Sequence, residues 1–230
     1  MTSDRWDRIA RDIEEDPSTL VGSRIARVAR STLAASTVGL MLVVGDGSGA
    51  IEGGDIEGGM FDEAQMILGE GPTIDAIGSD SPILVEDLTN PESIDRWPGF
   101  VPRAAELGVL SLFAFPMRVG GVRVGVLSAY REASGPLSTM EYADGLVIAS
   151  LASLLLMDDR ESVEVGSSPI ESGDLASHSR LQIAAGMVSE QLDVSVADAL
   201  VRLRAHAYVG DLRLDDVSRA VIDRTLVLDP

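Results

Sequence analysis

The sequence predicts an α+β protein in two parts, an antiparallel sheet with helices on one face followed by a C-terminal three-helix bundle. Three observations lead there. Val38-Gly39-Leu40-Met41-Leu42-Val43-Val44 is apolar on both faces and stops at Gly45-Asp46-Gly47, the pattern of a central strand entering a tight turn. Leu110 to Val119 and Val122 to Tyr130 flank the pair Gly120-Gly121, which predicts a hairpin. Beyond residue 173, three apolar stripes recur at helical spacing with short turns between them.

Asp4 to Glu15 and Thr19 to Ala35 have helical patterns broken at Pro17, the second carrying Leu20, Ile25, Val28, Ala29 and Leu33. After the first strand, a stretch rich in glycine and acid predicts loops. Within it lie a helical candidate at Phe61 to Leu68, the turn Gly69-Glu70-Gly71-Pro72 and a short strand at Ile83-Leu84-Val85. A helix from about Pro102 to Leu107 precedes the hairpin. Ser138-Thr139-Met140-Glu141 has capping-box spacing and opens a helix reaching about Met157. That helix is apolar nearly all round, so it is expected to pack on the sheet on one side and on a second subunit on the other. Arg160 to Gly173 is polar and acidic and contains Gly166-Ser167-Ser168-Pro169, the composition of a linker. The expected organisation is a helical extension over 1–18, a sheet domain over 19–158, a linker over 159–173 and a helical domain over 174–230.

Composition excludes several kinds of chemistry. A formal net charge of −19 argues against general affinity for phosphate backbones or anionic lipid. The absence of cysteine removes disulfides, thiolate nucleophiles and thioether-bound chromophores. All 18 basic residues are arginine, so neither a Schiff base nor a phosphate-loop lysine can form. The two histidines, His178 and His206, lie near the C-terminus and leave the sheet domain without imidazole for a metal or haem. Glu70, Asp75, Asp80, Glu86 and Asp87 are expected as solvated loop acids rather than as a cation site. No nucleophile–base pair or metal constellation is legible, so no enzyme activity, catalytic residue, metal or cofactor is expected. The opening Met1 to Trp6 lacks an apolar signal, and Leu146 to Met157 is too short to span a bilayer. The expectation is a cytoplasmic protein with no membrane partner.

Leu68-Gly69-Glu70-Gly71-Pro72, Asp87-Leu88, Arg96-Trp97-Pro98, Gly108-Val109, Phe115-Pro116 and Gly121-Val122-x-x-Gly125-Val126-Leu127 follow one another in the sheet domain. In this order they resemble bacterial GAF domains. The resemblance implies a cavity on the far side of the sheet that holds a small molecule, a chromophore or nothing. Many relatives place a cysteine after Gly-Glu-Gly-Pro, where this chain has Thr73, and thiol-based sensing is therefore not expected. Both faces of Leu110 to Phe115 are apolar, one expected to be covered by helices and the other by loops. Trp97, Phe100, Phe113, Phe115 and Met117 are the candidate cavity residues, with plain core as the alternative.

In the C-terminal part, Leu181, Ala184, Ala185, Val188 and Leu192 form one stripe. Ser195-Val196-Ala197-Asp198 caps a second stripe of Val196, Ala199, Leu200, Leu203 and Ala207, and Leu214, Val217 and Val221 form a third. Ala184-x-Gly186-Met187, Val194-Ser195 with Ala199, Leu203-Arg204-x-x-Ala207 and Leu214-x-x-Val217-x-x-x-Val221 resemble the ANTAR family of RNA-binding antitermination modules over Ala176 to Leu228. The family usually has Gln at the place of Ile183 and often Lys at that of Ala185. The resemblance implies recognition of paired hairpins in a nascent transcript. Ala184, Ala185 and Gly186 would supply a face of small residues for close approach, and Arg180, Arg202, Arg204, Arg213 and Arg219 the cations. His206 is a candidate for base stacking. Helix packing at Gly186, and ion pairs from the arginines to Asp198, Asp215 or Asp216, are the alternatives. Six arginines face eight acids from His178 to Pro230, so binding is expected to be weak, salt-sensitive and strengthened by a homodimer formed through the 138–157 helix. The expected function is a signal-responsive antitermination regulator. The alternative is a ligand-sensing or protein-interaction dimer that no longer binds RNA.

Overall fold

The structure, a computed structural model, describes residues 2–44, 48–79, 81–166, 173–210 and 212–228. The chain divides into two units, Met1–Ser168 and Pro169–Pro230.

The first unit runs α1 (Thr2–Glu15), α2 (Val21–Thr32), β1 (Thr37–Val44), β2 (Ser48–Gly54), α3 (Ile56–Leu68), α4 (Pro72–Gly78), β3 (Ile83–Val85), α5 (Pro91–Arg96), α6 (Phe100–Glu106), β4 (Ser111–Val119), β5 (Val122–Arg131) and α7 (Thr139–Gly166). Its five strands form an antiparallel sheet in the order β2-β1-β5-β4-β3. β1 lies between β2 and β5, which is why its sequence is apolar throughout.

Strand β2 falls where loops are expected. Its glycines and serine give no strand signal, and it is held by pairing with β1, Met41 opposite Ile51 and Leu42 opposite Ala50. Helices α4 and α5 are too short for helical periodicity to register. Both open on a proline, and Asn90 caps α5 by accepting from the Ser93 amide at 2.8 Å. The capping box of α7 is present: the Ser138 amide donates to Glu141 Oε2 at 2.6 Å and the Glu141 amide to Ser138 Oγ at 3.2 Å. α7 then runs past Met157 to Gly166, so the first half of the expected linker is helix, because no glycine or proline interrupts Asp158 to Val165. Residues 167–172 lie outside the described residues.

Helices cover both faces of the sheet, correcting the expectation of one. On one face Leu40, Leu42, Phe113, Phe115, Leu127 and Ala129 pack with Ile9, Ile25, Ile148 and Ala152 of α1, α2 and α7. On the other, Leu112, Ala114, Val126 and Tyr130 pack with Phe61, Ala76, Trp97 and Phe100 of α3 to α6. Alternation along a strand sends neighbouring side chains to opposite faces, so two apolar faces demand two covers. The expected loop cover is built as short helices.

Thr139–Asp158 is long and apolar enough to cross a membrane by length and composition, with 44% of that window buried. This corrects the shorter Leu146 to Met157 estimate, since only Glu141 and Asp144 interrupt the preceding turns.

In the second unit α8 (Gly173–Leu192), α9 (Val196–Gly210) and α10 (Leu214–Ile222) pack on one another. Leu181, Ala184, Ala185 and Val188 are buried with Ala199, Leu200, Leu203 and Ala207, and with Leu214, Val217 and Val221. Ser195 caps α9, accepting from the Asp198 amide at 3.0 Å while donating to Asp198 Oδ2 at 2.6 Å.

Candidate functional site

Strand register fixes the first site. In β5, Ser128 and Tyr130 face α3 and α4, with Gly39 of β1 opposite Ser128. Asp62 and Gln65 of α3 and Thr73 of α4 meet them, and all five side chains are fully buried. Gln65 Nε2 donates to Thr73 Oγ1 at 2.8 Å and to Tyr130 Oη at 2.9 Å, while Gln65 Oε1 accepts from the Thr73 amide at 2.8 Å. Thr73 and Ser128 hydroxyls share a 2.9 Å hydrogen bond. Tyr130 Oη donates to Asp62 Oδ1, which also accepts from Thr73 Oγ1 at 3.3 Å.

Donors converge on one carboxyl oxygen and leave the other alone: Asp62 Oδ2 is buried without a hydrogen-bond partner. It lies against Gly39, where a Cβ would stand 2.0 Å from Oδ2 and 3.0 Å from the Gly58 carbonyl. No arginine contributes to this network. Burial therefore raises the Asp62 pKa to about 7 against the opposing hydrogen bonds from Tyr130, Ser128 and Thr73. Burial and the adjacent Asp62 also push the Tyr130 phenol well above its usual range. The cluster is a buried polar core that ties α3 and α4 to the sheet.

The loop acids have structural partners. Glu70 Oε1 accepts from the amides of Gly99 and Phe100 at 2.6 and 2.9 Å and so holds the start of α6. Asp75 pairs with Arg96 at 2.7 Å and accepts from Trp97 Nε1 at 3.2 Å, while the Arg96 guanidinium stacks 4.7 Å from the Trp97 ring. Asp87 accepts from the amide and hydroxyl of Thr89, which hold its pKa below the usual value. Glu86 is exposed, and Asp80 lies outside the described residues. Among the described residues no group of three or more acids and histidines is placed to hold a metal.

The structure separates the candidate cavity residues. Trp97 and Phe100 share the α3–α6 face with the polar cluster. Phe113, Phe115 and Met117 point the other way, into the core beneath α1, α2 and α7. This corrects their joint assignment: they alternate on β4 with Leu112, Ala114 and Pro116 and cannot line the same layer.

The polar cluster and its helical cover occupy the far side of the sheet, where the resemblance placed a cavity. A GAF domain family model matches residues 21–156. The chain belongs to the GAF family. Two solved structures have the same fold. The GAF domain of an Acinetobacter phosphoenolpyruvate-protein phosphotransferase is 11% identical with a TM-score of 0.53, covering 72% of this chain and 98% of that one. The corresponding GAF domain from Coxiella burnetii is 15% identical with a TM-score of 0.52, covering 71% and 97%. At these identities the likeness is one of fold. No curated protein matches the chain. The GAF domain is a signal-sensing or dimerisation module, and the family match stops short of α8, α9 and α10.

Sequence reasoning missed the buried cluster around the GAF sheet. Its signals were an acid inside the apolar pattern Phe61 to Leu68, and Ser128 and Tyr130 alternating through an apolar strand.

In the second unit the candidate RNA residues divide by burial. Ala184 and Ala185 are fully buried and belong to the helix packing, which corrects their place on an RNA face: their methyls fill the interface that larger side chains would wedge apart. Gly186 is exposed and a Cβ there would meet nothing within 4 Å, so helix packing does not explain it. Arg180 and Arg219 both pair with Asp215, at 2.7 and 3.1 Å. Arg202 and Arg213 have partners of their own. Arg204 is different. Its Nε is buried without a hydrogen-bond partner, and burial lowers the pKa of its guanidinium. His206 is partly exposed on the same helix.

Proposed function

We propose that the chain is a signal-responsive RNA-binding antitermination regulator of the cytoplasm. The GAF domain receives a small-molecule signal and joins two copies. The C-terminal bundle, of ANTAR type, grips paired hairpins in a nascent transcript, a task that needs no bond-making step. The observation that carries this reading is Arg204. In a chain of 37 acids and 18 arginines, a half-buried guanidinium whose Nε meets no acceptor among the described residues, a state it shares with Arg24 of the GAF domain, suits an external anion. The buried positions of the ANTAR-type motif, Ala184, Leu203, Ala207, Val217 and Val221, are those its packing requires. Arg204→Ala is expected to lower recovery of crosslinked RNA at least tenfold, since hydrogen bonds to charged groups contribute about 1.5–3 kcal/mol. Sequencing RNA crosslinked to the purified protein checks it, and an absence of enriched hairpins in the parent protein refutes the RNA reading.

Dimer formation is supported by the outer face of α7. Met140, Ala143, Val147, Ser150, Leu154 and Met157 alternate three and four residues apart, the spacing of a coiled-coil seam; Met140, Leu154 and Met157 are exposed, while Val147 at the edge of the stripe also packs against the core. A second copy also carries −19, and Leu146 to Met157 offers it twelve residues without a charge. Leu154→Glu is expected to convert dimer to monomer without loss of helical content, as measured by light scattering and circular dichroism. A parent protein that is monomeric at micromolar concentration rules this out.

A second reading, protein docking on a bundle that does not bind RNA, has one observation in its favour. An open groove of about 610 Å³ is lined by Ile183, Gly186, Met187, Glu190, Val221 and Arg224, with Ile183 half exposed where ANTAR relatives carry Gln. Under that reading Arg204→Ala leaves the protein's interactions intact.

A further inference from the structure

We infer that Tyr208 and Arg204, one turn apart on α9, form a platform on which an unpaired RNA base stacks while its phosphate meets the guanidinium. The inference rests on the RNA-binding reading and adds the point of contact and the state of the base. The buried face of α9 is Ala199, Leu200, Leu203 and Ala207. At about 100° per residue, Arg204, Tyr208 and Val201 lie side by side on the flank next to that face. Positions four apart bring their side chains together.

Among the described residues Arg24 and Arg204 both have a buried Nε without a partner, and of the two only Arg204 has an exposed aromatic ring one turn away. Tyr208 is 65% exposed, and Val201 beside it is 61% exposed. An aromatic ring so open to water leaves a large apolar face with nothing on it. Arg204 keeps its charge, yet its Nε is withdrawn from water and meets no acceptor. A ring and a cation with an unmatched Nε side by side match the two parts of a nucleotide, a π face and an anion. Duplex would not use this platform, because its bases are stacked on each other, whereas the splayed bases of a hairpin loop present free faces to aromatic side chains.

His206 is thereby replaced as the stacking residue. It lies two positions from both Arg204 and Tyr208, about 160° round the helix from each, so it cannot share a base with them.

The test uses the full chain and hairpin RNAs selected from a random-loop library, with 2-aminopurine then placed at each loop position. Stacking on Tyr208 is expected to change the fluorescence at one loop position. Tyr208→Phe keeps both the signal and the affinity, because the ring suffices. Tyr208→Ala loses that signal and weakens binding by about tenfold or more, in line with the effect of removing one stacked base. Circular dichroism of Tyr208→Ala is expected to match the parent, the side chain being exposed. If Tyr208→Ala binds the selected RNA as the parent does, or keeps the signal, the platform is wrong while RNA binding stands. If no library member binds the parent, the RNA reading and the platform fall together. If Tyr208→Ala instead changes the oligomeric mass without affecting RNA binding, the face is a protein contact and the platform is overturned.

Discussion

Asp62→Asn is expected to make the GAF domain more stable than the parent at pH 8 and to remove most of its pH dependence between 5 and 8. The cause is the fully buried Asp62 carboxyl, whose pKa burial raises from 3.8 to about 7. The folded state thus holds a proton that the unfolded chain releases near pH 4. The stability linked to that proton is fully present below the unfolded value, declines as pH rises through the interval, and is gone above about 7. A shift of about three units corresponds to about 4 kcal/mol. Asparagine stays neutral throughout. Its carbonyl can still accept from the Tyr130 hydroxyl, and its amide takes the place of Oδ2 against Gly39. Urea unfolding of both proteins at pH 5 and pH 8 measures the difference. Parallel pH dependence in the two proteins would show that Asp62 ionises without cost and that the cluster is not a closed polar core.

Gly58→Ala is expected to destabilise the same domain by about 3 kcal/mol, against its helix propensity. In an open helix this substitution gains about 1 kcal/mol. Here the new Cβ would stand 2.2 Å from the Val38 carbonyl oxygen and 2.3 Å from its carbon. Both obstacles are backbone of β1, held between two paired strands, so the helix must move away from the strand instead. The first turn of α3 is tied to that strand by the Asp55 amide on the Val38 carbonyl at 2.9 Å and by Asp55 Oδ2 on the Val38 amide at 3.2 Å. Lifting α3 also withdraws Asp62 and Gln65 from Thr73, Ser128 and Tyr130, and the loss extends beyond the contact itself. Thermal unfolding reads the change, and a melting temperature equal to the parent's would mean that α3 can slide over β1 freely.

These two substitutions act at one junction. The α3–β1 contact positions the carboxyl, and the carboxyl gathers the donors of α4 and β5. Within the cluster the buried side-chain atom left without a hydrogen-bond partner is Asp62 Oδ2.

Strong local patterns were legible. Val38 to Val44, the Gly120-Gly121 hairpin, the capping boxes at Ser138 and Ser195 and the three C-terminal stripes each carry their own periodicity or cap. The structure forms elements at each of them. Strand β2 was not legible, because a single isoleucine among three glycines, Ser48, Ala50 and Glu52 makes no strand pattern and pairing with β1 makes them a strand. Helices α4 and α5 are shorter than the window in which a helical period can be recognised. The arginines of the second unit were legible as cations, but not as a paired and an unpaired set, since Arg180 meets Asp215 across 35 residues of chain.

The sequence by itself determined the α+β class with an antiparallel sheet, the GAF resemblance and the absence of thiol and lysine chemistry, because these follow from composition and from patterns within one element. Only the tertiary structure decided which face of the sheet each residue serves. It parted Trp97 and Phe100 from Phe113, Phe115 and Met117, buried Ala184 and Ala185, and left Asp62 and Arg204 each with a polar atom unmatched. Burial and hydrogen-bond satisfaction are sums over neighbours brought together by packing, and no single stretch of chain contains them.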